Sequence, residues 1–132
     1  MSPSPKVKKH LIKPDKRGWF TEILKTHDLK KPHFGQISLT VANAFEKKGS
    51  HYHKIRTEWF TVVTGKVNFY LKHMKTGKEK NIVLSSDKIS TLQIPPFWYH
   101  ELENKSKEKA IIVLYSDLAF DKGNPDTYRI NA

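Results

Sequence analysis

Cysteine is absent from the chain, which excludes disulfides and thiolate metal ligands. No apolar run is long enough to span a bilayer, and the opening MSPSPKVKKH lacks the apolar stretch of a signal peptide. The expectation is therefore a cytoplasmic protein with no membrane partner. No long segment carries a helical apolar period. No G-x-G-x-x-G follows a strand-like run either, so a dinucleotide site of the Rossmann type is not expected. Acidic side chains are scarce: 13 Asp and Glu stand against 24 Lys and Arg, for a net charge of +11.

That excess raises the question of a nucleic-acid partner, since phosphate neutralisation dominates such binding. The lysines are scattered, however, mostly between apolar runs where turns are expected, as in KVKK near the start and KSKEK at 105–109. The pattern reads as a solvated basic surface rather than a nucleic-acid face. A milder consequence is a positive potential that draws in a small phosphorylated substrate.

The 132 residues suffice for one domain with a real core and not for two. Short β-branched and aromatic runs alternate with Gly, Pro, Asn, Asp and Lys clusters. Strands are predicted at 19–24, 36–42, 58–64, 66–72, 80–84, 90–94, 98–103 and 110–115. In the fourth of these, Val67, Phe69 and Leu71 share one face while Asn68 and Tyr70 share the other. Eight short strands with tight turns point to an all-β antiparallel sandwich or barrel. Residues 1–10 and 121–132 read as irregular arms of that single domain. Small barrels leave open sheet edges, and the alternating apolar and basic N-terminal arm could add to a neighbour, so a homodimer is expected.

Two clusters carry chemistry. The first is Gly49-Ser50-His51-Tyr52-His53, then Glu58 and Gly65; the second is Pro95-Pro96-Phe97-Trp98-Tyr99-His100, then Asn104. On a strand, His51 and His53 point the same way, so two imidazoles can meet one ion. Glu58 stands five residues beyond His53, the wrong parity for one continuous strand, so Lys54-Ile55-Arg56-Thr57 must turn and return it on the next. His100 arrives from a distant strand and completes three histidines and a carboxylate. Such a set suits Zn, Fe(II), Mn, Ni or Co, and the ligand list does not choose among them. His10, His27, His33 and His73 have no comparable company and read as surface or packing residues.

These clusters resemble the two cupin motifs, G-x5-HxH-x4-E-x6-G and PxG-x2-H-x3-N, and so imply a cupin jelly roll (double-stranded β-helix). There are two departures. Gly49 stands too close to His51 for the motif's first glycine, and Phe97 replaces the glycine of PxG. Asp15-Lys16-Arg17-Gly18-Trp19-Phe20-Thr21-Glu22 further resembles the opening of nucleotide-sugar epimerase cupins, including dTDP-4-keto-6-deoxyhexose 3,5-epimerases. The order of these motifs, ending in Phe120-Asp121 and Asn124-Pro125-Asp126-Thr127-Tyr128, is similar to the C-terminal cupin of CapF-type capsular polysaccharide enzymes.

The resemblance implies a zinc-dependent epimerase acting on a UDP-linked 4-keto-6-deoxy sugar, with ketone reduction left to a separate reductase. It aligns His51 with a catalytic base of the dTDP-sugar epimerases. His51 is then a ligand if His53 and Glu58 complete a metal site, and a base if they do not; the ligand role is preferred. Glu22, Tyr70 and Tyr115 become the candidate proton carriers. Arg17 could bind the diphosphate or simply occupy a surface turn. Trp98 could stack on a nucleobase or pack beside the Pro-Pro turn. Two other classes share the ligand set: an Fe(II) cupin dioxygenase and a non-catalytic cupin that binds a sugar or a metal.

Overall fold

The computed structural model describes residues 3–30 and 33–130. The outermost two residues of each expected arm therefore lie outside the described residues. The described residues form eleven strands: β1 (Lys6–Lys9), β2 (Lys13–Asp15), β3 (Gly18–Phe20), β4 (Gln36–Ala42), β5 (Lys47–His51), β6 (Glu58–Thr64), β7 (Lys66–His73), β8 (Glu79–Ser85), β9 (Ser90–Ile94), β10 (Trp98–Glu103) and β11 (Ala110–Ser116). Among the described residues the only helical element is a 3-10 turn at Thr26–Asp28, and no helix is long and apolar enough to cross a membrane.

Two antiparallel sheets face each other. One has the order β1-β9-β6-β11-β4 and the other β5-β10-β7-β8, while β2 and β3 form a separate hairpin. The alternation that predicted β7 sets its orientation: Val67, Phe69, Leu71 and His73 are buried, and the residues between them are not. They meet Phe60 and Val62 of β6, Leu92 and Ile94 of β9, Trp98 and Leu102 of β10, and Ile112 of β11. Each such side chain contributes roughly 1.5–3 kcal/mol by leaving water. The same inward face carries His100, so the site sits inside the packed layer.

One of the two expected arms needs correction. Residues 6–9 are not an irregular arm: they pair with β9 of the same chain, Val7 opposite Leu92. Their alternation of lysine with an apolar residue is that of an edge strand with a solvated face. The tail has little regular structure but is docked, for Tyr52 and Tyr128 exchange backbone hydrogen bonds of 2.9 Å in both directions, and Asp126 is buried. The predicted strand at 19–24 shrinks to Gly18–Phe20, beyond which the chain crosses the outer face of the five-stranded sheet. There Ile23, Leu24 and Phe34 meet Trp59 and Tyr115 around a groove of about 570 Å³.

Candidate metal centre

His51 owes its position to an irregularity. Along the β5–β10 pairing, Lys48 faces Leu102 and Gly49 faces Glu101, but His51, not Ser50, faces His100. Ser50 is therefore the extra residue of a β-bulge, which shifts the parity and turns His51 inward. Both Gly49 (φ 88°) and Ser50 (φ 62°) lie in the left-handed region. A Cβ on residue 49 would stand 3.1 Å from the His100 carbonyl oxygen. Glycine is thus required at 49 for its backbone angle and for the close approach.

The chain then bends at residues 54–55 and starts β6 at Glu58, the return that the His53–Glu58 spacing demanded. His100 is aimed by the turn before it. Phe97, standing where the motif has glycine, still adopts φ 70°, a conformation that costs a non-glycine residue about 1–2 kcal/mol. Its N–H donates to the His53 carbonyl oxygen at 2.7 Å, its carbonyl accepts from the Met74 N–H at 2.8 Å, and the Lys75 ammonium sits 4.2 Å from its ring centre. These contacts hold the strained turn without the glycine.

Ring nitrogens of His51, His53 and His100 converge within 4.8 Å of one another. Glu58 Oε1 is 3.0 Å from His53 Nε2 and 3.3 Å from His100 Nε2, the latter without hydrogen-bond alignment. His53, Glu58 and His100 are 5%, 5% and 1% exposed; His51 is half-buried.

The other ring nitrogens identify the tautomers. His53 Nδ1 lies 2.7 Å from the Asp126 carbonyl oxygen and His100 Nδ1 lies 3.1 Å from that of Trp98. A carbonyl only accepts, so both Nδ1 atoms donate. In the neutral rings both Nε2 atoms then present lone pairs, and they present them to a carboxylate oxygen. Such an arrangement is repulsive unless a cation lies among the four groups, so the donor set fits a divalent ion bound by three imidazoles and one carboxylate. The buried His51 Nδ1 also lacks a hydrogen-bond partner among the described residues.

Electrostatics point the same way. Burial opposes charge on Glu58, but when the Nε2 atoms of His100 and His53 carry protons in place of an ion, their donation to the carboxylate outweighs burial and holds the carboxyl below the ordinary carboxylate range. Burial, followed by the neighbouring His100 and His53, pushes His51 down to about 3, leaving a neutral imidazole at physiological pH.

These shifts predict acid sensitivity of the metal-free protein. Between the ordinary histidine value of 6.5 and about 3, the unfolded chain takes up a proton that native His51 refuses, so stability falls as pH falls. Glu58 adds a loss of the same sign below the ordinary value of 4.5. With allowance for the part-exposure of His51, the melting temperature in chelator should drop by roughly 5–10 °C from pH 7.5 to 4.5. A flat profile across that range would contradict the described environment.

The remaining site expectations are not brought to this cluster. Tyr70 lies on the outer face of β7 and donates to Glu79 Oε1 at 2.8 Å, a contact that pushes its phenol up to about 12. Tyr115 lies on the outer face of the five-stranded sheet, its hydroxyl donating to the His33 carbonyl at 2.9 Å; residue parity separates it from inward-facing Ser116 and Glu58. Glu22 is an exposed partner of Lys13 and Lys25. Arg17 is an exposed hairpin residue paired with Asp15 at 2.8 Å. Trp98 is buried in the core with its indole N–H on the Pro3 carbonyl, which leaves no face for a nucleobase.

Two residues outside the expected set adjoin the cluster. Arg56 and Asp126 are buried together, with Arg56 Nε 3.6 Å from Asp126 Oδ2. Both stand in stretches quoted above for other reasons, the 54–57 turn and the closing Asn-Pro-Asp-Thr-Tyr motif.

The family model of the polysaccharide biosynthesis C-terminal domain matches residues 13–128, a span that includes every residue of the cluster. The chain belongs to that family. One relative, the UDP-2-acetamido-2,6-beta-L-arabino-hexul-4-ose reductase of Pseudomonas aeruginosa, is 34% identical over 114 residues, covering 86% of this chain and 29% of the reductase. The capsular polysaccharide assembling protein CapF of Staphylococcus aureus superposes with a TM-score of 0.72 at 30% identity, over 93% of this chain and 34% of CapF. The chain thus spans about a third of the length of either protein. The dTDP-4-dehydrorhamnose 3,5-epimerase of Sulfolobus tokodaii superposes with a TM-score of 0.82 at 22% identity, over 96% of this chain and 77% of the epimerase. The fold is therefore the jelly roll expected of a cupin, shared with that epimerase, and the likeness to CapF extends over nearly the whole chain.

Proposed function

We propose that this polysaccharide biosynthesis domain is a metal-dependent sugar-nucleotide epimerase or isomerase acting on a 4-keto-6-deoxy sugar nucleotide. The observation that carries the metal is the pair of Nε2 lone pairs facing Glu58, with His51 beside them. The family match, the CapF likeness and the epimerase fold support the reaction class. His51, His53, Glu58 and His100 would hold one divalent ion, with zinc proposed ahead of Ni, Fe, Mn or Co. When bound, such an ion supplies Lewis-acid stabilisation of charge developing on the C4 oxygen as a C3 proton leaves.

The protein's own residues prepare that site. Carbonyl acceptors on Nδ1 keep His53 and His100 in the ligating tautomer. Burial keeps His51 neutral, which suits a ligand better than a general base, because an effective base titrates near the working pH. A positive surface would attract the diphosphate, and reduction of the ketone would fall to a separate reductase.

Deuterium uptake from D2O into a panel of UDP- and dTDP-linked 4-keto sugars tests the proposal. Exchange at C3 should occur with zinc-loaded protein, vanish in chelator and return with zinc. Metal bound without exchange across the panel would leave a binding cupin instead, and oxygen consumption with Fe(II) would indicate the dioxygenase. Open sheet edges at β1 and β4 support a homodimer, for which light scattering at tens of micromolar should give twice the 15.4 kDa chain mass; the monomer mass would reject it.

A further inference from the structure

We propose that Asp126, in the C-terminal tail, is a positioning residue for the metal centre, an inference that rests on the metal reading above. Asp126 is 1% exposed and has φ 49°, a left-handed conformation that Asp tolerates better than most residues. Two of its functional groups engage the same short loop. Its carboxylate accepts from the backbone N–H groups of Lys54 (2.9 Å), Ile55 (3.2 Å) and Arg56 (3.0 Å). Its backbone carbonyl accepts from His53 Nδ1 at 2.7 Å. The loop so held is the one that must turn between His53 and Glu58 for both to reach one ion. A single tail residue therefore sets the tautomer of one ligand and the path from that ligand to the next.

Neighbouring contacts lock the tail in this register. The Arg56 guanidinium donates to the Pro125 carbonyl and lies beside the Asp126 carboxylate. Tyr52 and Tyr128 pair through their backbones, and Arg129 Nη1 donates to the Gly49 carbonyl at 3.1 Å, at the bulge that turns His51 inward. Docking of the tail and binding of the ion are then coupled, and by linkage each must strengthen the other.

The test uses Asp126→Asn in the 132-residue chain, with Asp121→Asn as a control that also lies in the tail but caps its own turn through the Gly123 N–H. Asparagine keeps the shape and tolerates the left-handed backbone, but its amide sets N–H against N–H in a pocket of converging donors. Imidazole 15N spectra of the metal-free wild type should show His53 as the Nδ1–H tautomer, and Asp126→Asn should show a mixture. Zinc affinity should weaken more than about tenfold in Asp126→Asn, as for loss of a group that orients a ligand, and stay at wild type in Asp121→Asn. Wild-type tautomer and wild-type affinity in Asp126→Asn would overturn the proposal.

Should that variant not fold, the wild type carries the test through amide exchange. Zinc should slow exchange at Lys54, Ile55, Arg56 and Tyr128 but not at Ser106, whose N–H is held by Asn104; unchanged rates in the loop and tail would overturn the coupling. A wild type that takes up no zinc rejects the metal reading itself. The His53 tautomer in wild type and variant then still decides whether Asp126 positions that ring.

Discussion

Gly49→Val is expected to abolish stoichiometric zinc uptake while leaving an assembled barrel. Valine is β-branched and strongly disfavoured at φ 88°, and its Cβ would stand 3.1 Å from the His100 carbonyl oxygen. The least strained escape is for β5 to regularise. Ser50 would then face His100, and His51 would turn to the outside, since one residue of slip exchanges the two faces of a strand. Because β5 is the edge strand of its sheet, the slip disturbs one ladder only. If the bulge persists instead, it does so under strain of about 1–3 kcal/mol, and His51 is displaced from its partners. Either way a ligand is lost, and zinc affinity should fall beyond roughly a hundredfold, more than the loss of an outer support. Titration with zinc under a competing chelator would measure this, with far-ultraviolet circular dichroism to verify the barrel. Wild-type affinity in Gly49→Val would mean that the bulge does not place His51.

The bulge also marks where reading from sequence reached its limit. The strands at 36–42, 58–64, 90–94 and 98–103 match the sequence reading residue for residue, because β-branched and aromatic runs mark them, although the apolar residues of the first, Ile37, Leu39 and Val41, are exposed. The return of Glu58 followed from parity alone. Parity reasoning also treated 51 and 53 as neighbours on one strand, yet it could not reveal that Ser50 is an inserted residue, since a bulge leaves no periodic signature in five residues. Tyr70 and Tyr115 qualify as proton carriers on chemistry alone; each faces away from the core layer, and Tyr115 lines the outer groove with Ile23, Leu24 and Phe34. Asp126 went unrecognised as a neighbour of the site because its partners lie about seventy positions earlier. A lone Asp in a Pro-containing tail reads locally as a turn residue, and only the three-dimensional path shows that it caps a distant loop.

Glu58→Gln separates the ligand role of the carboxylate from any role in packing. The side chain is 5% exposed and starts β6 at the register Glu58–Ile94, so glutamine fits the same volume. In the metal-free protein the change removes a buried charge and lets the new amide donate to one of the Nε2 lone pairs 3.0 and 3.3 Å away. The melting temperature in chelator at pH 7.5 should therefore move by only a few degrees, about 1 kcal/mol in either direction. The packing of Val62, Val67, Phe69 and Ile112, all 0–1% exposed, is untouched. With zinc the balance reverses. An amide oxygen carries no net charge to offset a dication in a buried site, and affinity should fall more than about tenfold, which is about 1.4 kcal/mol or more. The stabilisation that zinc confers on the wild type should shrink accordingly. Proton exchange at C3 of a turned-over 4-keto sugar should fall with zinc occupancy and recover in part when excess zinc refills the site. Glu101→Gln is the matched control, because Glu101 faces outward opposite Tyr70 and lies 3.5 Å from the Lys47 ammonium; it should match wild type in both assays. Full zinc affinity in Glu58→Gln would remove Glu58 from the ligand set and return His51 to the role of free base.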